Sequence, residues 1–187
     1  MQRQVFVPTH FWLKEFNKNP ADLKVLEVAG GTGRVMTFFR DNYPEMDATF
    51  LELSPYYLEE AKKNDVRFRK YFNKYDSRKD DIEMSPLNLV LGQAEKMSFE
   101  DESFDILNCV YLFHELPAEI RRECAKEFFR VLKPGGIVCW NDSIQAMDRE
   151  GMTKEMLGIF PAKYHEPYYL NYIQDDIKAI FEEAGFK

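Results

Sequence analysis

The sequence predicts an α/β fold: a mostly parallel sheet whose strands alternate with helices. Three observations carry that expectation. A short apolar run, Val25-Leu26-Glu27-Val28, passes through Ala29-Gly30-Gly31-Thr32-Gly33 into a helical pattern from Arg34 to Arg40, which reads as strand, tight turn and helix. Further short β-rich runs follow at Ala48–Glu52, Leu87–Leu91, Ile106–Val110 and Ile137–Trp140, separated by amphipathic segments. Four of these five runs end in or lead into acids, amides or glycines, the residue types that an open parallel sheet gathers at its carboxyl ends; Ile106–Val110 leads into Tyr111-Leu112.

Taken in order, residues 1–22 are a flank with an aromatic cluster of Phe6, Phe11, Trp12 and Phe16. Its spacing predicts a short helix from Phe11 to Phe16 and then a polar, Pro20-containing loop. The flank either packs on the core or covers a ligand site. After the glycine turn, Val35, Met36, Phe38 and Phe39 mark a helix that ends near Asn42-Tyr43-Pro44. Ser54-Pro55 then signals a helix start, with Ser54 as N-cap and proline pre-set for the first turn. Residues 56–80 read as one long helix, its stripe of Val66, Phe68, Tyr71, Phe72 and Tyr75 turned to the protein. Lys62, Lys63, Arg67, Arg69, Lys70, Lys74, Arg78 and Lys79 form its wet face. Basic residues interleaved with aromatics also suit nucleic acid or an anionic membrane, but the phasing favours the solvated face. Ile120, Cys124, Phe128, Val131 and Leu132 mark the next helix, Leu132–Gly136 a turn, and Asp175–Ala184 a last helix capped by Gly185. Between them, residues 144–172 concentrate Met147, Met152, Met156, Phe160, Tyr164, Tyr168, Tyr169 and Tyr172, either an aromatic lid or a packed loop.

At 187 residues the chain is about one domain with room for a sizeable core. No run approaches the roughly 18 apolar residues of a membrane span, and the first residues lack a secretory signal pattern. The expected location is therefore the cytoplasm or an organelle matrix. Cys109, Cys124 and Cys139 sit in apolar patterns without CxxC spacing, as reduced buried thiols do. Neither the cysteines nor the scattered His10 and His165 propose a metal site. A net charge of −7 repels phosphate backbones, which disfavours nucleic acid, and suits a cationic ligand.

Glycines in a strand-to-helix turn accept positive φ and let a ligand lie against the backbone, whose free N–H groups receive an acceptor atom. The same turn can also form and bind nothing. A dinucleotide loop needs glycines at positions one, three and six; counted from Gly31 the sixth is Met36, and counted from Ala29 it is Arg34. The nicotinamide frame fails in both registers. Glu52 closes the second strand, 25 residues after Glu27, where a carboxylate can accept both hydrogens of a ribose diol or simply favour the positive end of a helix. Gly92-Gln93-Ala94-Glu95 follows the third strand, Phe104-Asp105 enters the fourth, and Arg130-Val-Leu-Lys-Pro-Gly-Gly136 leads into the fifth.

In this order and spacing, residues 23–187 resemble the class I S-adenosylmethionine-dependent methyltransferases of the type 11, UbiE-like branch. Glu27 stands at the motif's acid, Ala29 in place of its first glycine, and Gly31 and Gly33 at the other two. The resemblance implies a Rossmann-like three-layer sandwich with strand order 3-2-1-4-5 and S-adenosylmethionine lying across the carboxyl ends. It assigns the methionine part to the Ala29-Gly30-Gly31-Thr32-Gly33 backbone with Glu27, and the ribose to Glu52 beside Leu53. The adenine goes to Gln93, Ala94 and Glu95, with the end of strand four, Cys109 and Val110, alongside. His114 aligns with a histidine that could orient the acceptor or take its proton, or serve as a structural hydrogen-bonder. The implied acceptor is a small, lipophilic or aromatic molecule; a catalytically inactive binding subunit and a nicotinamide-dependent oxidoreductase are the alternatives. Two more strands follow the last helix in that family, so the resemblance leaves strand five with an edge open to a partner or to a continuation of the chain.

Overall fold

In the computed structural model, which describes residues 6–146, 159 and 161–187, the strand runs align in one parallel sheet. They are β1 (Lys24–Val28), β2 (Asp47–Glu52), β3 (Asn88–Leu91), β4 (Phe104–Val110) and β5 (Leu132–Asn141), in the order β3-β2-β1-β4-β5. The predicted order of strands is thus observed. The helices that cover the sheet include α1 (Phe6–Glu15), α2 (Arg34–Asn42), α3 (Pro55–Tyr75), α4 (Ala118–Val131), α5 (Tyr169–Tyr172) and α6 (Ile177–Ala184). Among the described residues no helix is long and apolar enough to cross a membrane.

Alternation along the strands splits the core in two. Val25, Phe50 and Ile106 join Phe6, Trp12, Met36, Phe39 and Ala61 on the face covered by α1, α2 and α3. Leu26, Val28, Leu51, Leu107 and Cys109 join Cys124, Phe128, Tyr172, Ile177 and Ile180 on the face covered by α4, α5 and α6. A period of two with both faces apolar is what helices on both sides of a parallel sheet require.

Three expectations are corrected. The flank helix begins at Phe6, and it buries Phe6, Thr9, Trp12 and Leu13 while Phe11 and Phe16 face water. It packs on the sheet: Trp12 Nε1 donates to the Gly135 carbonyl at 3.2 Å, and Thr9 Oγ1 lies 3.3 Å from Cys139 Sγ. The long helix stops at Tyr75, and its buried line is Ala61, Asp65 and Phe72; Tyr71 is 60% and Tyr75 63% exposed. Buried Arg40 explains the shift, because it draws Asp65 inward as its ion partner, and Arg69 Nε adds a second bond at 3.0 Å. Lastly, β5 starts at Leu132, which pairs with Phe104, while Ile137 pairs with Ile106, so the Lys-Pro-Gly-Gly segment is a bulge inside the strand. Of the proposed lid, Met147, Met152, Met156 and Phe160 lie outside the described residues. Tyr169 and Tyr172 are core side chains, whereas Tyr164 and Tyr168 are exposed.

The C-terminal elements are held at the carboxyl side of the sheet by one fully buried cation. Arg121 Nε and Nη2 donate to Asp175 Oδ2 at 3.0 and 2.8 Å, Nη1 donates to the Leu116 carbonyl at 2.8 Å, and Nη2 also meets Asn171. Removing it would leave half-buried Asp175 with Arg122 alone, at 3.2 Å, and take the donors from Asn171 and the Leu116 carbonyl. Arg121→Ala should therefore lower the unfolding free energy by about 3 kcal/mol, read as a fall in urea midpoint with unchanged slope.

Candidate active site

The turn after β1 is built from backbone conformations that its residues dictate. Ala29, Gly31 and Gly33 have φ of 54°, 59° and 77°, in the left-handed region. Gly33 ends the turn as N-cap of α2. A side chain at Gly30 would collide with the Phe50 ring, whose Cε2 would lie 2.1 Å from its Cβ. At Gly31 the same addition meets nothing within 4 Å, so this is where the loop opens outward. Ala29 tolerates its strained φ because its N–H is tied to the Leu51 carbonyl at 2.9 Å.

Two carboxylates bracket this loop. Glu52, at the end of β2, accepts from Gly31 N–H through Oε2 and from Ser54 N–H through Oε1, each at 2.9 Å. One side chain thus ties the first strand's turn to the second's. A carboxylate has about four acceptor positions, so these bonds leave each oxygen a lone pair. Glu27 lies beneath the loop, almost wholly buried, with Oε2 lacking a hydrogen-bond partner among the described residues. Burial pushes its carboxyl up to about 8, helped by the charge of Glu52 and opposed by the Met36 backbone N–H. In register beside it, Asn108 of β4 has both side-chain polar atoms without a hydrogen-bond partner among the described residues, so a buried polar row runs below the loop.

The remaining sites suggested by the sequence are placed unevenly. Gln93, Ala94 and Glu95 occupy the turn after β3, closed by a bridge between Gln93 and Lys96; Gln93 is exposed and the other two half-buried. Leu53 is 65% exposed, open to stack on a flat ligand. The Cys109 thiol is packed in the core, as its apolar pattern predicts, and burial holds it well above the usual thiol range, so its backbone is what remains for a ligand. Val110, half-buried, closes β4, and Tyr111 follows at φ 59°.

His114 sits in a 3-10 turn, Phe113–Glu115, after β4 and is 9% exposed. Its Nδ1 lies 2.5 Å from Asp142 Oδ1, at the end of β5. Asp142 accepts Phe113 N–H at 2.7 Å and Ser143 N–H at 2.6 Å, so it is a carboxylate acceptor and Nδ1 is the donor. In the neutral ring Nε2 then keeps its lone pair. Burial opposes the imidazolium, but the bond and charge of Asp142, with Glu115 and Glu166 beyond, outweigh it and hold His114 above its ordinary range. The rings of Tyr111, Tyr169 and Tyr172 stand edge-on around it at 6.1–6.2 Å. Burial likewise raises Glu115, opposed by the His114 charge and helped by the charges of Glu166, Asp142 and Glu52. Sequence reasoning marked His114 and missed Glu115 and Glu166; no local spacing joins residues 114 and 166. A cleft of about 740 Å³ lies at the other end of the strands, lined by Leu132–Gly136 and Gly185–Lys187, away from these groups.

The loop yields two checks. Gly30→Ala should cost about 3 kcal/mol through overpacking against Phe50, whereas Gly31→Ala should cost about 1 kcal/mol for its left-handed φ alone, both by chemical denaturation. Folded Glu27 keeps its proton to about pH 8 whereas the unfolded chain releases it near 4.5, so its contribution to stability is lost as pH rises through that window. Glu27→Gln should remove the loss, gaining on the parent by up to about 1.4 kcal/mol per pH unit between those values.

A methyltransferase-domain family model matches residues 26–140. The ubiquinone/menaquinone biosynthesis C-methyltransferase UbiE of Bartonella quintana is 32% identical over 115 residues, 60% of this chain and 38% of that protein. The demethylmenaquinone methyltransferase of Staphylococcus haemolyticus is 32% identical over 121 residues, 55% of this chain and 49% of that protein. The chain thus spans less than half the length of these two relatives. A crystal structure of a SAM-dependent methyltransferase from Aquifex aeolicus matches in fold with a TM-score of 0.62 at 17% identity, covering 99% of this chain and 82% of that one. The glycine loop, the strand order and the matched span agree: the chain belongs to the class I S-adenosylmethionine-dependent methyltransferase family.

Proposed function

We propose that the chain transfers a methyl group to a small, lipophilic or aromatic acceptor of the quinol type. The observation that carries this reading is the Glu52–Gly31 bond, which holds a carboxylate and an open glycine backbone side by side at neighbouring strand ends. S-adenosylmethionine, the methyl donor of the family, supplies the activated methyl on a sulfonium. The residues fit it: the space over Gly31 takes a group pressed against the backbone, and Glu27 offers an unpaired carboxyl oxygen to a cation. Glu52 keeps acceptor positions for a diol, and the Gln93 amide stands at the next strand end for a base edge.

The acceptor class is taken from the two relatives' names and from the tyrosines around His114. A quinol carries hydroxyl groups whose deprotonation makes the ring a better nucleophile. Asp142 holds Nδ1, so His114 presents Nε2 to a hydroxyl proton on the acceptor side. Aligning the reacting atoms and excluding water then supplies most of the rate.

Calorimetric titration of the folded chain with S-adenosylhomocysteine should give one binding site. Glu52→Ala should weaken it roughly 100-fold, the loss of one or two hydrogen bonds to a charged group. A folded sample that does not bind sinks the reading. Binding without turnover on quinols, phenols and amines would make the chain a methyltransferase-like binding subunit instead.

A further inference from the structure

Beside the cofactor end of the sheet stands a ligand set that no spacing in the sequence suggests. One His114 ring nitrogen, one Glu115 carboxylate oxygen and one Glu166 carboxylate oxygen all lie within 4.8 Å of one another. His114 Nε2 is 3.9 Å from Glu115 Oε1 and has no hydrogen bond among the described residues, although the side chain is only 11% exposed. Glu166 arrives from the segment before α5, braced by its N–H on the Pro161 carbonyl at 3.1 Å.

We propose that His114, Glu115 and Glu166 bind a first-row divalent cation such as Zn²⁺ or Mn²⁺, with Asp142 as the outer carboxylate that aims the imidazole. Three points of chemistry support this. A metal-bound histidine usually donates its other ring N–H to a carboxylate, which fixes the tautomer and ring plane; fully buried Asp142 does that here at 2.5 Å, and its own backbone donors lock it. Three carboxylates around one imidazole also leave negative charge in excess, and a dication offsets it better than one imidazolium. The donors are one nitrogen and two oxygens without a thiolate, a set suited to zinc or manganese, and three protein ligands leave positions open. Ligands on one cation lie up to about 4.2 Å apart, at bond lengths near 2.1 Å, so a small rotation of exposed Glu115 closes the set.

The cation's use rests on the methyl-transfer reading. With it bound, Nε2 is a ligand, and an acceptor hydroxyl takes an open position and loses its proton more readily to water. The direct proton-taking role of Nε2 then belongs to the cation-free protein. Binding of the cation itself does not depend on that reading.

The test uses the full chain, stripped with a chelator and titrated with ZnCl₂ and MnCl₂ by calorimetry, with manganese binding also read by electron paramagnetic resonance. One equivalent should bind. His114→Ala should weaken binding more than 100-fold, and Glu166→Gln, Glu115→Gln and Asp142→Asn at least 10-fold each, while His10→Ala leaves it unchanged. Because Glu115 and Glu166 are partly exposed, their amide variants test the site without loss of the fold, as thermal melts would show. Failure of the parent to bind an equivalent overturns the site, as does undiminished binding by both glutamine variants. Parallel titration with S-adenosylhomocysteine separates the two readings: Glu166→Gln should bind it like the parent, and if only the cation fails to bind the parent, methyl transfer stands without it.

Discussion

The structure turns on a carboxylate that reaches sideways between two strand ends. Glu52 accepts the Gly31 and Ser54 N–H groups, so the turn opening α2 and the turn opening α3 are one hydrogen-bonded unit. Both helices start there with backbone N–H groups that have no intrahelical acceptor. An anionic side chain between two such starts is favoured by both helix dipoles. The same bond presents Gly31 outward with no side chain in the way. Ala29 and Gly33 have backbone bonds of their own, to Leu51 and Gly30, so Gly31 is the left-handed residue that the carboxylate fixes.

The second half of the site answers to a different constraint. Asp142 is fully buried and accepts two backbone N–H groups as well as the His114 ring. A buried carboxylate with three donors is satisfied as an anion, so it orients the imidazole instead of being drawn from it. Tyr111, held at positive φ just after β4, and the core rings Tyr169 and Tyr172 complete the surroundings. The strained residues Ala29 and Tyr111 both follow strand carboxyl ends, where well-formed neighbouring strands can bear the cost.

Burial decides the charge state of Glu27, whereas carboxylate neighbours outweigh it at His114. Glu27 is protonated near neutrality because it is dry and lies near Glu52. A cation placed against it would draw that proton away. The helix faces follow the same rule: α3 buries Asp65 because Arg40 is already inside, which sends Tyr71 and Tyr75 to the surface. Hydrophobic phasing alone counts the aromatics and has no means to count that ion pair.

The sheet was readable from the sequence because its signals are local. Apolar runs of strand length, glycines demanding positive φ, and a Ser-Pro helix start act within a few residues of themselves. Glu27, Gly31 and Glu52 could be matched to strand ends for that reason. Long-range pairings decided the rest. The Glu52–Gly31 bond, the Trp12–Gly135 anchor, the bulge in β5 and the Asp142–His114 bond join residues from 21 to 123 positions apart. Glu166 meets His114 in a fold where buried Arg121 fastens α4 to Asn171 within α5 and to Asp175 beyond it. Charge partners buried across such distances leave no periodic trace in a chain, and only the closed fold brings them together.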